Sequence, residues 1–535
     1  MADPYYITTA IAYPNGKPHI GFAYEAIAAD AIARFHRMQG KDVRLITGTD
    51  EHGLKMVQTA RDAGMDTMEF ATEMSNHFRE MFTKLNIQVD AFCRTTDERH
   101  KEASVALWKA LQASDDLYLD RYEGWYSVRD EAFYDEKELI AGEGDEKLSP
   151  QGTPVEWTVE ESWFFRLSKY QDWLIELNET PGFLEPESRR NEVLGFLKGN
   201  ELRDLSVSRT SFDWGVPVPD SPGHVMYVWV DALTTYLTGI GYPETEGDFA
   251  RFWPADLHLI GKDIVRFHAV YWPAMLKSAG LPIPKKIFGH GFLLARGEKM
   301  SKSLGNVVDP IELADRFGVD ALRYFLLREV SFGQDGSYSA EAIVTRCNAE
   351  LANGYGNLVQ RTFGFISKQL DGKLPDEFGG EVSWEFKEDY AFIDGVISDL
   401  GIFRDAFAEL NLSEALKFWN RAIFKCNGFI DEMAPWALRK TDPMRMGHVL
   451  ALLVWAIKEL TITIRPVTPS ASDKVLDFLN TPIDRRTYAD LVQFDPAIGI
   501  SWDREWYRSL RQSVGQLGSP TPIFPRLELP AEADA

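Results

Sequence analysis

The first fifty residues constrain the fold more than any other stretch. Residues 5–13 (YYITTAIAY) are apolar and β-branched, the length of one buried strand. Pro14-Asn15-Gly16 breaks that run. Lys17-Pro18-His19-Ile20-Gly21 then opens a helical pattern through Ala23, Ile27, Ala31 and Phe35. A second strand is expected over 43–47, ending in Gly48-Thr49-Asp50-Glu51-His52-Gly53. Strand, turn, helix and strand in this order predict a βαβ unit, and so a parallel sheet. Open parallel sheets bind ligands at the carboxyl ends of their strands. His19-Ile20-Gly21 and Asp50-Glu51-His52 both fall at such ends.

The rest of the chain divides by pattern. From about residue 116 to 220, aromatics, turns and short apolar runs replace long periodic segments, as expected of an inserted domain. Residues 131–147 are mostly acidic and read as a solvated hairpin or loop. α/β character then resumes, with strands predicted over 225–230 (VMYVWV), 257–260 and 287–294 and a helix over 263–277. After about residue 340 the pattern is helical almost throughout. Residues 451–464 have the density of a bundle-core helix. One more helix is expected over 502–517, then a Pro-, Ala- and acid-rich tail, poorly ordered unless Ile523-Phe524 ties it down. The fold class is thus α/β: a Rossmann-like parallel-sheet catalytic domain split by an inserted domain, followed by an all-α helical bundle. The boundaries are 1–115 and 225–340 for the split domain, 116–224 for the insertion, 341–518 for the bundle and 519–535 for the tail.

At 535 residues, several domains are expected. No run approaches eighteen consecutive apolar residues, so no membrane span is predicted. Met1-Ala2-Asp3-Pro4 lacks the basic and apolar regions of a signal peptide. Cys93, Cys347 and Cys426 lie far apart, which points to a reducing, cytoplasmic compartment and away from a disulfide framework or a CxxC zinc site. The net charge of −24 does not exclude nucleic acid, because phosphate binding depends on local basic faces.

One loop carries chemistry. Lys299-Met300-Ser301-Lys302-Ser303 follows the predicted strand and the turn Arg296-Gly297-Glu298. Two lysines three residues apart on a mobile loop can favour negative charge building on a phosphorus under attack. Alone, such a loop is more often a solvated basic turn.

Taken together, these pieces resemble the class I aminoacyl-tRNA synthetases, and within them the methionyl family. The first class signature, His-Ile-Gly-His, reads here His19-Ile20-Gly21-Phe22, and the second, Lys-Met-Ser-Lys-Ser, is complete at 299–303. AYPNGKPHIG (12–21), TGTDEHG (47–53), GWYSVRDEA (124–132), YVWVDAL (227–233), GKDIVRFH (261–268) and DEMAPW (431–436) also look like the methionyl family. The resemblance spans about residues 5–530. It implies activation of L-methionine by ATP with magnesium, then transfer to the 3′ end of initiator and elongator tRNA-Met.

The resemblance assigns residues. His19, Lys299 and Lys302 become stabilisers of charge on the ATP α-phosphate, with Gly21, Phe22 and Ser301 completing the nucleotide site. A histidine at a helix N-terminus suits an anion, and a glycine lets a base approach the backbone. Asp50 matches the carboxylate for the methionine ammonium. Ile11, Ala12, Tyr13, Trp229, Ala232, Leu233, Tyr236, Phe267, His268 and Trp272 match the side-chain pocket, whose aromatic walls suit a thioether. Tyr236 and His268 are expected near the sulfur. Asn353, Asn357 and Arg361, spaced by four, share a helix face; Asn357, Arg361 and Trp436 match the residues that read the CAU anticodon.

The sequence departs from the family pattern in three places. Ser127 and Asp130 stand where many members carry zinc-knuckle cysteines, so an insertion without zinc is expected, as in the zinc-free branch. The chain stops at the tail, without the dimerising β-barrel of many relatives, so a monomer is expected. Phe22 replaces the last histidine of the first signature, which predicts slowed activation. Two other readings remain at this stage: a class I synthetase for leucine, isoleucine or valine, disfavoured by the short insertion, and a synthetase-like binder of tRNA or methionine, supported by Phe22 alone.

Overall fold

The computed structural model describes residues 2–529 apart from 128, 130–131, 135, 143, 145, 296–297, 300–307, 376–386 and 492–503. Within them, six parallel strands form one sheet in the order Ala91–Arg94, Asp42–Thr49, Pro4–Thr9, Leu257–Gly261, Ile287–His290, Leu184–Glu185. Ile7 sits at the centre, opposite Leu45 on one side and Leu257 on the other. The helix Ile20–Met38 connects the first two strands, as the βαβ pattern predicts. Gly48 lies opposite Cys93, where an added Cβ would meet the Cys93 carbonyl at 1.8 Å, so only glycine fits that register.

The chain divides into two units. One comprises Asp3–Ala29 and Asp42–Gly291; the other comprises Met1–Ala2, Asp30–Lys41 and Phe292–Ala535. In the first unit, the segment expected to be inserted forms a separate antiparallel sheet. Leu117–Ser127 and Glu156–Phe165 pair in register from Leu117 opposite Phe165 to Tyr126 opposite Glu156. That segment also supplies Leu184–Glu185, which pairs with Ile287–His290 at the edge of the parallel sheet.

Three sequence expectations change. The run 225–230 is not one strand: only Val225–Met226 pairs, with Ser208–Arg209, and a helix spans Val228–Thr238. Every residue of that helix except Trp229 is buried. A helix without a polar face shows no 3.6-residue period, so it reads as a buried strand. The helix expected over 263–277 instead contains a π-helical turn, Phe267–Tyr271, before Trp272–Ser278. The strand expected over 287–294 breaks: Ile287–His290 stays in the parallel sheet, and Leu293–Ala295 pairs in the second unit with Gly336–Tyr338 and Glu298–Lys299.

The second unit is mainly helical. Its longest apolar helix, Pro443–Ile464, has the length and composition of a membrane span, but 94% of its apolar window is buried in this unit. A buried Arg323 is paired with Asp30 at 2.6 Å and donates to the Val467 and Pro466 carbonyls at 2.9 and 3.1 Å. A buried cation requires such a full set of acceptors. The part of the tail that is described is held: Asn348 exchanges two hydrogen bonds with the Leu527 backbone, at 2.9 and 2.8 Å, and Phe524 stands beside Tyr355.

Candidate active site

His19 precedes the helix Ile20–Met38, and its carbonyl accepts from the Phe22 and Ala23 amides. Its Nδ1 accepts from the Gly21 amide at 3.0 Å. In the neutral ring the proton is therefore on Nε2, which becomes a donor at a helix N-terminus, where negative charge is favoured. Gly21 makes this possible: a Cβ there would fall 2.8 Å from His19 Cε1 and displace the ring. Phe22 lies against His19, with centroids 4.7 Å apart, and against Phe78.

The strand Asp42–Thr49 delivers the buried turn Asp50-Glu51-His52. Ala12 is bound to its end: the Ala12 amide donates to the Gly48 carbonyl at 2.9 Å, and the Asp50 amide donates to the Ala12 carbonyl at 2.8 Å. This places Ile11, Ala12 and Tyr13 beside Asp50. Glu51 points away and anchors the turn. Arg94 grips it bidentately at 2.7 and 2.9 Å, and the hydroxyls of Thr49 and Thr96 donate to it at 2.7 and 2.5 Å.

The aromatic residues assigned to the side-chain pocket meet in the same unit. Trp229 and Phe267 stack with centroids 3.7 Å apart and planes 8° from parallel. His268 meets Trp229 edge-on. The Tyr236 hydroxyl donates to His268 Nε2 at 2.7 Å, while His268 Nδ1 donates to the Ile264 carbonyl at 2.9 Å. Burial pushes the His268 pKa down to about 4, so its ring is neutral at pH 7 and the pocket wall carries no charge. Trp272 is fully buried behind Tyr236, and Ala232 and Leu233 lie on the same helix as Tyr236.

Sequence reasoning missed the polar groups behind these walls. His258 stacks on Tyr236 at 4.4 Å, accepts from the Trp272 indole at 3.3 Å and bonds Thr8 Oγ1 at 2.7 Å. Burial holds the His258 pKa well below the usual range. Glu25 pairs with His290 at 2.8 Å. Asp231 binds both His52 and His100. The one available signal was the acid within the apolar run VWVDAL, since a charge there must be paired.

The second unit holds the other assigned residues. Lys299 pairs through its backbone with Leu294, and Met300, Ser301, Lys302 and Ser303 lie outside the described residues. Asn353 and Asn357 are exposed; Asn353 lies in a π-helical stretch, Asn348–Gly356, and Asn357 opens the helix Asn357–Gln369. Arg361 is ion-paired with Asp431 and lies 5.5 Å over the half-exposed Trp436 ring. Ala434, left-handed at φ 40°, ends the helix Leu412–Met433, and Pro435 starts the next helix, which presents Trp436.

Ser127, at the place of a family zinc ligand, is buried, with its hydroxyl 2.6 Å from that of Thr153, which in turn lies 2.8 Å from Ser149. Three hydroxyls bonded to one another do not fit a zinc site, which takes thiolates, imidazoles or carboxylates. Asp130 lies outside the described residues.

A histidine just before a helix and beside a glycine, a buried acidic turn after a parallel strand and an aromatic wall define a class I aminoacyl-tRNA synthetase core. The family model for class I tRNA synthetases (M) matches residues 5–363, and the chain belongs to that family. Within the class it falls in the methionine–tRNA ligase family: the ligase of Brucella suis is 52% identical, with 98% of each chain covered, and that of Mycobacterium tuberculosis H37Rv is 50% identical over 98% of each. The solved methionyl-tRNA synthetase of Mycobacterium tuberculosis in complex with methionyl-adenylate has a TM-score of 0.90 and 49% identity, covering 98% of this chain and 100% of that one. These findings set aside the leucine, isoleucine and valine alternatives.

Proposed function

We propose that this chain activates L-methionine with ATP to methionyl-adenylate and pyrophosphate, then transfers the methionyl group to the 3′ end of tRNA-Met, initiator and elongator. The observation that carries this reading is the uncharged aromatic wall, in which Trp229 stacks on Phe267 and Tyr236 donates to a neutral His268. A polarizable thioether gains from aromatic faces, and a charged histidine there would have to be desolvated.

In the first step a methionine carboxylate oxygen forms a bond to the α-phosphorus. The bond from that phosphorus to the bridging oxygen breaks, and pyrophosphate leaves. The nucleophile is already an anion, so no side chain has to remove a proton, and catalysis is positioning plus charge stabilisation. His19 donates from Nε2 to the α-phosphate, and Lys299 and Lys302 neutralise the growing charge. ATP enters as its magnesium complex, held by Gly21, Phe22 and Ser301 as well. Asp50 takes the α-ammonium, with Ile11, Ala12 and Tyr13 beside it. Trp229, Ala232, Leu233, Tyr236, Phe267, His268 and Trp272 enclose the side chain.

Asn357, Arg361 and Trp436 read the anticodon. The protein acts as a cytoplasmic monomer without zinc. Pyrophosphate exchange into ATP, run with methionine, leucine, isoleucine and valine in turn, tests the reading. Exchange with methionine alone is expected, and exchange with none of the four would overturn it.

A further inference from the structure

Asp231 is fully buried in the first turn of the helix Val228–Thr238 and carries no assigned role. Its two oxygens are divided between two histidines. Oδ2 accepts from His52 Nδ1 at 2.6 Å and Oδ1 from His100 Nε2 at 2.7 Å. His100 is itself fixed from behind at Nδ1 by Thr238 Oγ1 at 3.0 Å, and Ser104 Oγ lies 3.2 Å from the Nε2 that meets Asp231. Burial pushes the Asp231 carboxyl up, but the His52 charge and the hydrogen bonds from both histidines more than offset this and hold it at about 2. It is a carboxylate, and the dipole at the start of its helix favours that state.

The two ends of the network belong to different parts of the proposed methionine site. His52 stands two residues after Asp50, in the turn whose other side is locked by Glu51 and Arg94. Trp214 closes over this turn, its indole donating to the Glu51 carbonyl at 2.7 Å and its ring edge-on to His52. Asp231 stands between Trp229 and Ala232 on the helix that also carries Leu233 and Tyr236. A buried charge gives little net stability over apolar packing of the same volume. Short charge-assisted hydrogen bonds do fix direction and distance, which apolar contacts do not.

We propose that the His52–Asp231 bond is a positioning device. It sets the distance from the Asp50 carboxylate, which receives the ammonium, to the aromatic wall, which receives the thioether, and so fixes the length of amino acid the site accepts. The proposal rests on the methionine-activating reading above. Asp231 and His52 are positioning residues; neither has to touch substrate. His100 bonds the same carboxylate from the helix Glu98–Ala113, which is a separate element from the Asp50 turn.

That asymmetry supplies the test, by pyrophosphate exchange with methionine, with ethionine (one methylene longer) and with varied ATP, beside thermal melting. The wild-type protein is measured first: no exchange with methionine would overturn the functional reading itself, independently of this inference. In an active protein, His52→Leu is expected to raise the methionine KM about tenfold, the scale of one charge-assisted hydrogen bond. It should leave the ATP KM unchanged and narrow the preference for methionine over ethionine. His52→Asn, whose amide can donate from the place of Nδ1, is expected to restore both. His100→Leu is expected to lower the melting temperature while leaving the methionine KM and the ethionine ratio near wild type. If His52→Leu fails to fold, Asp231→Asn carries the comparison, with the same rise in methionine KM expected. Equal effects of His52→Leu and His100→Leu on KM, or none from His52→Leu or Asp231→Asn, would overturn the proposal.

Discussion

The Phe22 ring stands edge-on to Phe78, with centroids 5.4 Å apart and planes at 82°. Phe78 belongs to the helix Thr67–Lys84, so Phe22 links the start of one helix to the side of another. A histidine at this position could donate to the nucleotide; a phenyl ring cannot. The position therefore sets packing against chemistry.

Phe22→His is expected to raise the rate of methionine-dependent pyrophosphate exchange about tenfold or more, given what one preorganised donor contributes to a transition state. It should cost about 0.5–1.5 kcal/mol from the lost aromatic pair. Single-turnover activation and melting of the two versions check both parts. An unchanged rate in a folded variant would mean that the phenyl ring does not handicap the site.

Acid should weaken the fold through His268. Its pKa is about 4 in the folded protein against 6.5 for the free side chain. Between those values the unfolded chain takes up a proton that the folded one refuses. The contribution is complete above pH 6.5 and is lost as pH falls towards 4, on the order of 3 kcal/mol for this one residue. His36 and His448, also pushed down to about 4 chiefly by burial, act in the same window. His268→Gln, which cannot titrate, is expected to make the fall in melting temperature over this range shallower, as a pH series of melts would record.

Trp436→Ala is expected to lose about 1–3 kcal/mol of stacking on an unpaired base. Aminoacylation of tRNA-Met should fall while pyrophosphate exchange stays near wild type. Arg361, over the same ring and paired with Asp431, should show the same split when changed to Ala. Equal loss in both reactions would mark these residues as supports of the fold.

Zinc should be substoichiometric in the purified protein, and chelators should leave its melting temperature unchanged, because Ser127 is committed to the hydroxyl chain with Thr153 and Ser149. Elemental analysis finding one tightly held zinc per chain would refute this.

The residues of the candidate site were named by the family resemblance. The amino-acid order alone determined the βαβ start and the buried helix at 451–464. These are local patterns, such as a β-branched run or a helical period, and they survive without knowledge of neighbours. The tertiary structure decided what local pattern leaves open. The second half of the run 225–230 became helix, and burial on all sides hides its helical period. The strand at 287–294 broke, and its second part took partners within the other unit, a choice made by long-range pairing. The edge strand Leu184–Glu185 came from inside the expected insertion. Above all, His52, His100 and Asp231 lie 179 and 131 residues apart in pairs, yet their rings and carboxylate meet within 2.7 Å. A buried carboxylate must find donors, but sequence cannot say which ones, because the donors are chosen by packing across the whole sheet.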